Sequence, residues 1–356
     1  TAPSQCGTYR ASHTTRHASC LTSRVSLFAR LFRLAGSLLV AFAAGLAQSA
    51  EPPLPTLSAS SAIVMDRDTG LVLGAKAPDT RRAMAGTTKI LTALLATEQS
   101  RTGMANVVTV SAAAAHVGGA SMGLAAGDQL SLRDLLHGML LSSGNDAALA
   151  IAEHVSGSEA AFVTTMNTRA AQLGLTDTQF RNAHGRDPVD IPGQCVAPFD
   201  TQPNCGHYSS ARDLATLARF ALKEPVLVRI VETTNHLTTT WVNALSVAKN
   251  KVLTNSNPLL ASPRYPGANG VRDGITDNAG QCLVASAGVP GKQIIAVLLR
   301  SSAPDTEGRQ LVDFGFEHLF ERLHPTSMAT GFFNNDAYED LAVGIPHAEV
   351  AGVPAA

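Results

Sequence analysis

The chain has 356 residues, more than one typical domain of roughly 100–200 residues would need. With 45% hydrophobic and 15% charged residues it can bury a large core, which excludes a disordered chain. Lys plus Arg number 27 against 28 Asp plus Glu, a formal net charge of −1 with no basic footprint for nucleic acid, and the five cysteines lack the paired spacing of a disulfide scaffold or zinc site.

Residues 1–23 are polar and unpatterned and read as upstream translation or a disordered leader. Arg24, Arg30 and Arg33 then precede an apolar run, Leu34 to Ala47, followed by Gln48-Ser49-Ala50. A basic flank, a short apolar stretch and small residues at its end predict a secretory signal peptide, with a buried helix or short membrane anchor as the alternative. The run falls short of the ~20 residues that span a bilayer, and Glu51-Pro52-Pro53 stops any helix. Residues 1–50 are therefore set aside as leader and signal peptide. The mature protein is expected in the periplasm or at the cell exterior, without a membrane anchor after cleavage.

Export changes the reading of the cysteines. Cys6 and Cys20 leave with the leader, so Cys195, Cys205 and Cys282 are kept. Cys195 and Cys205 bracket a Pro/Gln/Asp loop without periodicity, and a local disulfide closing it is the preferred reading over two free thiols. Cys282 sits in an apolar, strand-like run and is expected in the core.

Ala62 to Asp66 and Leu71 to Gly74, joined by Arg-Asp-Thr-Gly70, predict a hairpin. A helix follows near Gly86, with Ile90, Leu91, Leu94 and Leu95 at helical spacing. Ser131-Leu-Arg-Asp134 has the capping-box form ahead of the apolar stretch Leu135 to Leu141. Further helices are predicted at 146–155, 158–173 and 210–222, strands at 282–287 and 294–299, and a closing amphipathic helix at 305–322. Strands at both ends with helices between them imply one α+β domain, about 55–324, whose sheet is completed by its two ends.

Three motifs lie in order along this body: Met84-Ala-Gly86-Thr-Thr-Lys89, then Leu140-Leu-Ser-Ser143-Gly-Asn145-Asp146, then Gly270-Val-Arg272-Asp273-Gly274-Ile275-Thr276-Asp277. With Asn182-Ala-His-Gly185, Gly206-His-Tyr-Ser-Ser-Ala-Arg-Asp213 and Thr254-Asn-Ser-Asn257, they resemble the serine D-alanyl-D-alanine carboxypeptidases, the low-molecular-weight penicillin-binding proteins, over about residues 57–322. That family carries Ser-x-x-Lys, Ser-x-Asn and Lys-Thr-Gly in this order. The resemblance implies a beta-lactamase/transpeptidase-like α+β fold, an antiparallel sheet flanked by helices with a helical subdomain. It also implies a peptidoglycan reaction in which a serine acyl-enzyme releases the terminal D-Ala of stem peptides, without a cofactor.

Acyl transfer needs a nucleophile, a base and donors for the oxyanion. In the family the serine attacks, and the lysine one turn later takes its proton, which it can do only with a lowered pKa. The second motif relays protons and holds the substrate amide. The third is a strand edge whose lysine and threonine meet the terminal carboxylate. Main-chain amides, here expected from Gly86 and Ile275, form the oxyanion hole.

This sequence departs from the pattern at the decisive places. The nucleophile position is Gly86, while Lys89, Ser143 and Asn145 are kept. Lys-Thr-Gly reads Arg272-Asp273-Gly274: Arg272 keeps the charge as a planar fork, and Asp273 puts a negative group where a substrate carboxylate docks. Thr87 and Thr88 are not replacements, because neighbours on a helix point about 100° apart. Changes in two separate motifs favour a degenerate member over an isolated engineered or erroneous codon at position 86. Binding of stem-peptide D-Ala-D-Ala ends is expected to outlast catalysis, with Arg272, Asp273, Gly274, Ile275 and Thr276 as the substrate-facing strand. Beta-lactams are expected to bind non-covalently at most. The alternative is a non-catalytic peptidoglycan-binding or surface interaction protein. His184 and His207 read as turn-supporting residues of family loops, not as a metal pair, and Trp241, the single tryptophan, carries no functional signal.

The tail, 326–356, does not continue the body. Gly331-Phe-Phe-Asn334-Asn-Asp336-Ala-Tyr-Glu-Asp340-Leu-Ala-Val-Gly resembles the start of an FG-GAP repeat of the integrin-type propeller, which places Asp and Asn oxygens for calcium. Phe332 stands at the first ligand position and Ala337 at a usual glycine, so Asn334, Asp336 and Asp340 read as a vestigial calcium loop. No confident metal site follows, and one repeat cannot bury its own face.

Overall fold

A computed structural model describes residues 54–100, 103–191 and 203–323, with two short segments at 328–331 and 340–343. The body begins with an Asp-built reversal. The Asp66 carboxylate accepts the amides of Asp68 and Thr69, and Gly70 takes a left-handed φ of +79°, which lets β1 (Ser61–Asp66) fold back on β2 (Val72–Lys76). A tight 3-10 turn, Ala85–Thr88, leads into α1 (Lys89–Gln99). All residues of α1 from Lys89 to Thr97 are buried, so this helix is wrapped by its neighbours on every side.

A helical region follows: β3 (Val107–Thr109), α2 (Ala112–Ala115), β4 (Gln129–Ser131), α3 (Leu132–Leu141), α4 (Asn145–Ser156), α5 (Glu159–Gln172), α6 (Ala211–Ala221) and α7 (Pro225–Val231). Ser131 caps α3 as its motif predicts, its side chain accepting the Asp134 amide. The reciprocal half of a capping box does not form. The Asp134 carboxylate instead receives the amides of Thr239 and Thr240, the Thr240 hydroxyl and His236 Nε2. It thereby anchors the loop after β5 (Asn235–Leu237), the strand that pairs with β6 (Val252–Thr254).

The chain then completes its sheet with β7 (Ala268–Thr276), β8 (Gly280–Val289) and β9 (Lys292–Ser301), and α8 (Pro304–Leu323) lies after them. The strand order is β2-β1-β9-β8-β7, every neighbour antiparallel, with Ile63 opposite Val297 and Arg272 opposite Val284. Strands from the two ends of the body thus meet between β1 and β9, the α+β closure read from the sequence.

The apolar run Ile294 to Leu299 is explained by burial on both faces. Ile295, Val297 and Leu299 pack with the large helical core around Leu91, Leu135 and Ile151, while Ile294, Ala296 and Leu298 pack with Leu311, Val312 and Leu319 of α8. The three-residue strands and the short α7 were not anticipated, being too short for a period to show. Residues 328–331 and 340–343 form an antiparallel pair, β10 and β11.

Cys205 is disulfide-bonded, and Cys282 is buried and free. Cys195, the expected leader and signal peptide, and the calcium positions Asn334 and Asp336 lie outside the described residues, while Asp340 opens β11. No helix among the described residues is long and apolar enough to cross a membrane.

Candidate active site

β7 is one of the two edge strands of the five-stranded sheet, and the turn before α1 packs against it. Their approach is close enough to require glycine at position 274 and to leave a side chain at position 86 only tight room. A Cβ on Gly274 would stand 2.3 Å from the Gly86 nitrogen, and one on Gly86 would stand 3.0 Å from the Asp273 carbonyl oxygen. Ala85 holds a left-handed φ of +47°, which turns the backbone toward the strand. From the other side, a Cβ on Gly185 would overlap the Ala85 carbonyl.

A cavity of about 460 Å³ opens where these elements meet. It is lined by Gly86, Lys89, Ser143, Asn145, Arg272 and Asp273, and by Gly274, Ile275 and Thr276 further along β7. All nine residues singled out from the three motifs therefore converge on one cleft, although they come from the turn before α1, α1 itself, the start of α4, and β7.

Lys89 is 1% exposed and donates from Nζ to Asn145 Oδ1 at 2.7 Å and to the His184 carbonyl. Burial first, and then the charge of Arg272, hold its amine well below the usual lysine range. Asn145 is fixed in turn by its Nδ2, which donates to the Gly118 carbonyl at 2.9 Å. Ser143 takes a left-handed φ of +62°, and its Oγ lies 3.5 Å from the point where a Cβ of residue 86 would stand.

The threonines do not supply the missing oxygen. Thr87 Oγ1 donates to the Met84 carbonyl at 2.6 Å, and Thr88 Oγ1 donates to the Ala85 carbonyl at 2.9 Å while facing His207 Nε2 at 3.1 Å. Both side chains are fully buried on the side away from the cleft.

Arg272 is buried and spends its Nη1 on three oxygens: the Leu140 carbonyl at 2.6 Å, Ser256 Oγ at 3.1 Å and Asp273 Oδ1 at 3.2 Å. Ser256 Oγ also donates to Asp273 Oδ1 at 2.6 Å. Burial lowers the Arg272 pKa and the Asp273 charge opposes that shift. The Thr276 hydroxyl is committed to Asp187 Oδ1 at 3.0 Å. Ile275 is 70% exposed on the strand edge.

The histidines support turns, as expected. His207 Nδ1 accepts the Arg181 amide and burial pushes its pKa down to about 3. His184 Nδ1 accepts the Arg186 amide, and burial followed by the Lys89 charge holds it neutral. Three positioning groups had no role assigned from the motifs. Asp146 accepts the amides of Met122, Gly123 and Leu124, fixing the loop beside α4. Asp187 ties the end of β7 to the opposite rim through Thr276 and the Asn278 amide. Ser256 links Arg272 to Asp273, and only its place in Thr254-Asn-Ser-Asn257 pointed toward it. Trp241 has a structural role, donating from Nε1 to Asp128 Oδ2 at 2.8 Å beneath Lys249.

Comparison with known proteins agrees with this geometry. The family model described as D-alanyl-D-alanine carboxypeptidase matches residues 46–303. The chain is 36% identical over 275 residues to the D-alanyl-D-alanine carboxypeptidase DacF of Bacillus subtilis, covering 75% of this chain and 64% of that protein. It is 33% identical over 294 residues to a D-alanyl-D-alanine carboxypeptidase of Streptomyces sp. strain K15, covering 79% of this chain and 95% of the relative. It therefore spans just under two thirds of the Bacillus protein and nearly all of the Streptomyces one. Among solved structures, the Streptomyces K15 DD-transpeptidase superposes with a TM-score of 0.66 at 30% identity, covering 74% of this chain and 99% of that one. A penicillin-binding protein homologue of Mycobacterium tuberculosis gives 0.64 at 26% identity, with 78% and 97% covered.

Proposed function

Because the chain belongs to the D-alanyl-D-alanine carboxypeptidase family, we propose that it is an exported peptidoglycan-directed member that binds stem-peptide ends in this cleft without forming an acyl-enzyme. One observation carries the reading: position 86 has no oxygen, and both neighbouring threonine hydroxyls are bonded into the turn behind it. Lys89, Ser143 and Asn145 keep the surroundings of a nucleophile, and β7 keeps an open edge on which an extended peptide can add as a strand. The amides of Gly86 and Ile275 are the proposed oxyanion donors. Residues 1–50 are assigned as leader and signal peptide, 55–324 as the penicillin-binding-type domain, and 326–356 as a tail with a partial FG-GAP-like repeat.

The test has two arms. Intact-mass measurement after long incubation with benzylpenicillin should show no adduct, and the protein should still sediment with purified sacculi. A mass gain of one β-lactam overturns the loss of acylation, and its site, Ser143 being the nearest cleft hydroxyl, would name the substitute. Failure to sediment overturns the peptidoglycan assignment.

A further inference from the structure

The cleft already contains a carboxylate of its own. Asp273 Oδ1 takes the Ser256 hydroxyl and the nearest Arg272 nitrogen, while Oδ2 takes none of the described hydrogen bonds and the side chain is 27% exposed beside the cavity. The other basic side chains lining the cleft are hydrogen-bonded within the protein. Arg186 donates to the Val117 and Asp190 carbonyls, and Lys89 donates to Asn145 and His184. Asp187, Asp190 and Asp277 add negative charge to the same rim. A ligand carboxylate entering here would find its cationic partner neutralised from within and a second carboxylate beside it. Such a like-charge juxtaposition is a means of rejecting a partner.

We infer that the Arg272–Asp273 pair inverts the ligand preference of the cleft, so that it takes peptide ends whose terminal carboxylate is masked as an amide, with the amide N–H donating to Asp273 Oδ2. The inference rests on the reading of the cleft as a stem-peptide site and names the class of end it accepts. An uncharged amide keeps the backbone contacts of a strand added to β7, loses the repulsion, and supplies the donor that Asp273 lacks. Two sources share this chemistry, a terminal carboxamide and the secondary amide formed when a D-Ala end is joined to an amine.

The experiment compares three probes by calorimetry on the full chain: diacetyl-Lys-D-Ala-D-Ala as free acid, as primary carboxamide and as N-butylamide. At low salt the amides are expected to bind at least tenfold more tightly than the acid, and the gap should narrow at high ionic strength as the repulsion is screened. Tighter binding of the carboxamide points to capped ends, and binding of the N-butylamide at least as tight points to joined ends. Asp273→Asn leaves Arg272 uncompensated and replaces the acceptor Oδ2 with an uncharged amide, so the acid should gain at least tenfold while the amides lose affinity and the preference reverses. If that variant fails to fold, the salt dependence of the parent protein still decides. Binding of the acid as tight as that of the amides overturns the inference and leaves the stem-peptide reading intact. Absence of binding by all three overturns both.

Discussion

A Cβ on Gly86 would stand 3.0 Å from the carbonyl oxygen of Asp273, so the turn carrying the family nucleophile position rests directly on the strand that carries the altered third motif. The two departures from the family pattern are therefore neighbours in space, though far apart in sequence. A serine restored at position 86 meets the β7 backbone at once, and the strand must give by a few tenths of an ångström to admit it.

This contact makes Gly86→Ser an informative variant. The fold should accept it with a small stability loss, and Ser143 and Lys89 would flank the new hydroxyl. Restoration of the oxygen alone is nevertheless expected to leave the enzyme defective toward a free D-Ala-D-Ala peptide. A penalty of about 3–4 kcal/mol from the Asp273 carboxylate corresponds to a deficit of several hundredfold in rate. The combined Gly86→Ser, Arg272→Lys and Asp273→Thr protein should exceed the sum of the separate effects, because such groups act as a unit. D-alanine release from diacetyl-Lys-D-Ala-D-Ala measures each variant. Equal turnover by the single and triple variants would show that Asp273 is harmless.

Cys205 offers a second test. It lies in a 3-10 turn, Pro203–Gly206, with a left-handed φ of +52°, directly before His207, whose ring faces Thr88 under the active-site turn. The expected partner is Cys195, which would close a short loop and contribute about 2–3 kcal/mol through the unfolded chain. Non-reducing peptide mapping should recover the Cys195–Cys205 fragment, and reduction should lower the unfolding midpoint. Two alkylatable thiols in protein secreted under oxidising conditions would contradict the pairing.

The motifs told more about the site than the periodicities told about the fold. Gly86, Lys89, Asn145 and Arg272 could be placed together because their spacing resembles a known order, not because any local pattern brings α1, α4 and β7 into contact. Long elements with one unbroken pattern, the helical period of α6 and the continuous apolar run of β9, showed in the sequence. The pairing of Arg272 with Asp273 through Ser256 did not, since adjacent strand residues ordinarily point to opposite faces and the bridging hydroxyl comes from another loop. Charge alone made Asp273 an obstacle to a substrate carboxylate; only the geometry shows that it also pairs with the cation.

The Asp134 carboxylate is a similar case, a residue read as part of a cap that holds a distant loop. Asp134→Ala would remove the acceptor of the Thr239 and Thr240 amides and the Thr240 hydroxyl, part-buried bonds made by two exposed residues to a buried carboxylate. Loss of this acceptor should cost about 1–3 kcal/mol. Asp134→Asn, which keeps one acceptor oxygen, should cost less. Urea unfolding of the two variants measures both, and a loss below about 1 kcal/mol for the alanine would show that water replaces the carboxylate.

Next to that carboxylate lies a pair of stacked imidazoles that should make the protein acid-labile. The rings of His137 and His236 lie 3.6 Å apart and nearly parallel, and His137 Nδ1 donates to the Arg133 carbonyl. Burial, with the His236 ring adding to it, pushes the His137 pKa down from 6.5 to about 4. The unfolded chain therefore binds a proton between pH 6.5 and 4 that the folded protein does not. Stability from this group is present above pH 6.5 and falls as the pH drops through that window, levelling off near pH 4. The shift of about two and a half units corresponds to about 3 kcal/mol in all, at a slope of about 1.4 kcal/mol per pH unit. His207, held neutral to about pH 3 by burial, adds a second slope of the same sign. The Asp134 carboxyl does not obscure the window. Burial raises its pKa, but hydrogen bonds from Thr240, His236 and Thr239 outweigh that and hold it below the usual range, so its loss begins only at lower pH. Urea midpoints measured from pH 7 to pH 4.5 should fall steadily, and His137→Gln should remove about one proton's worth of the slope. A variant that loses stability on acidification as steeply as the parent would exclude His137 as a source of the lability.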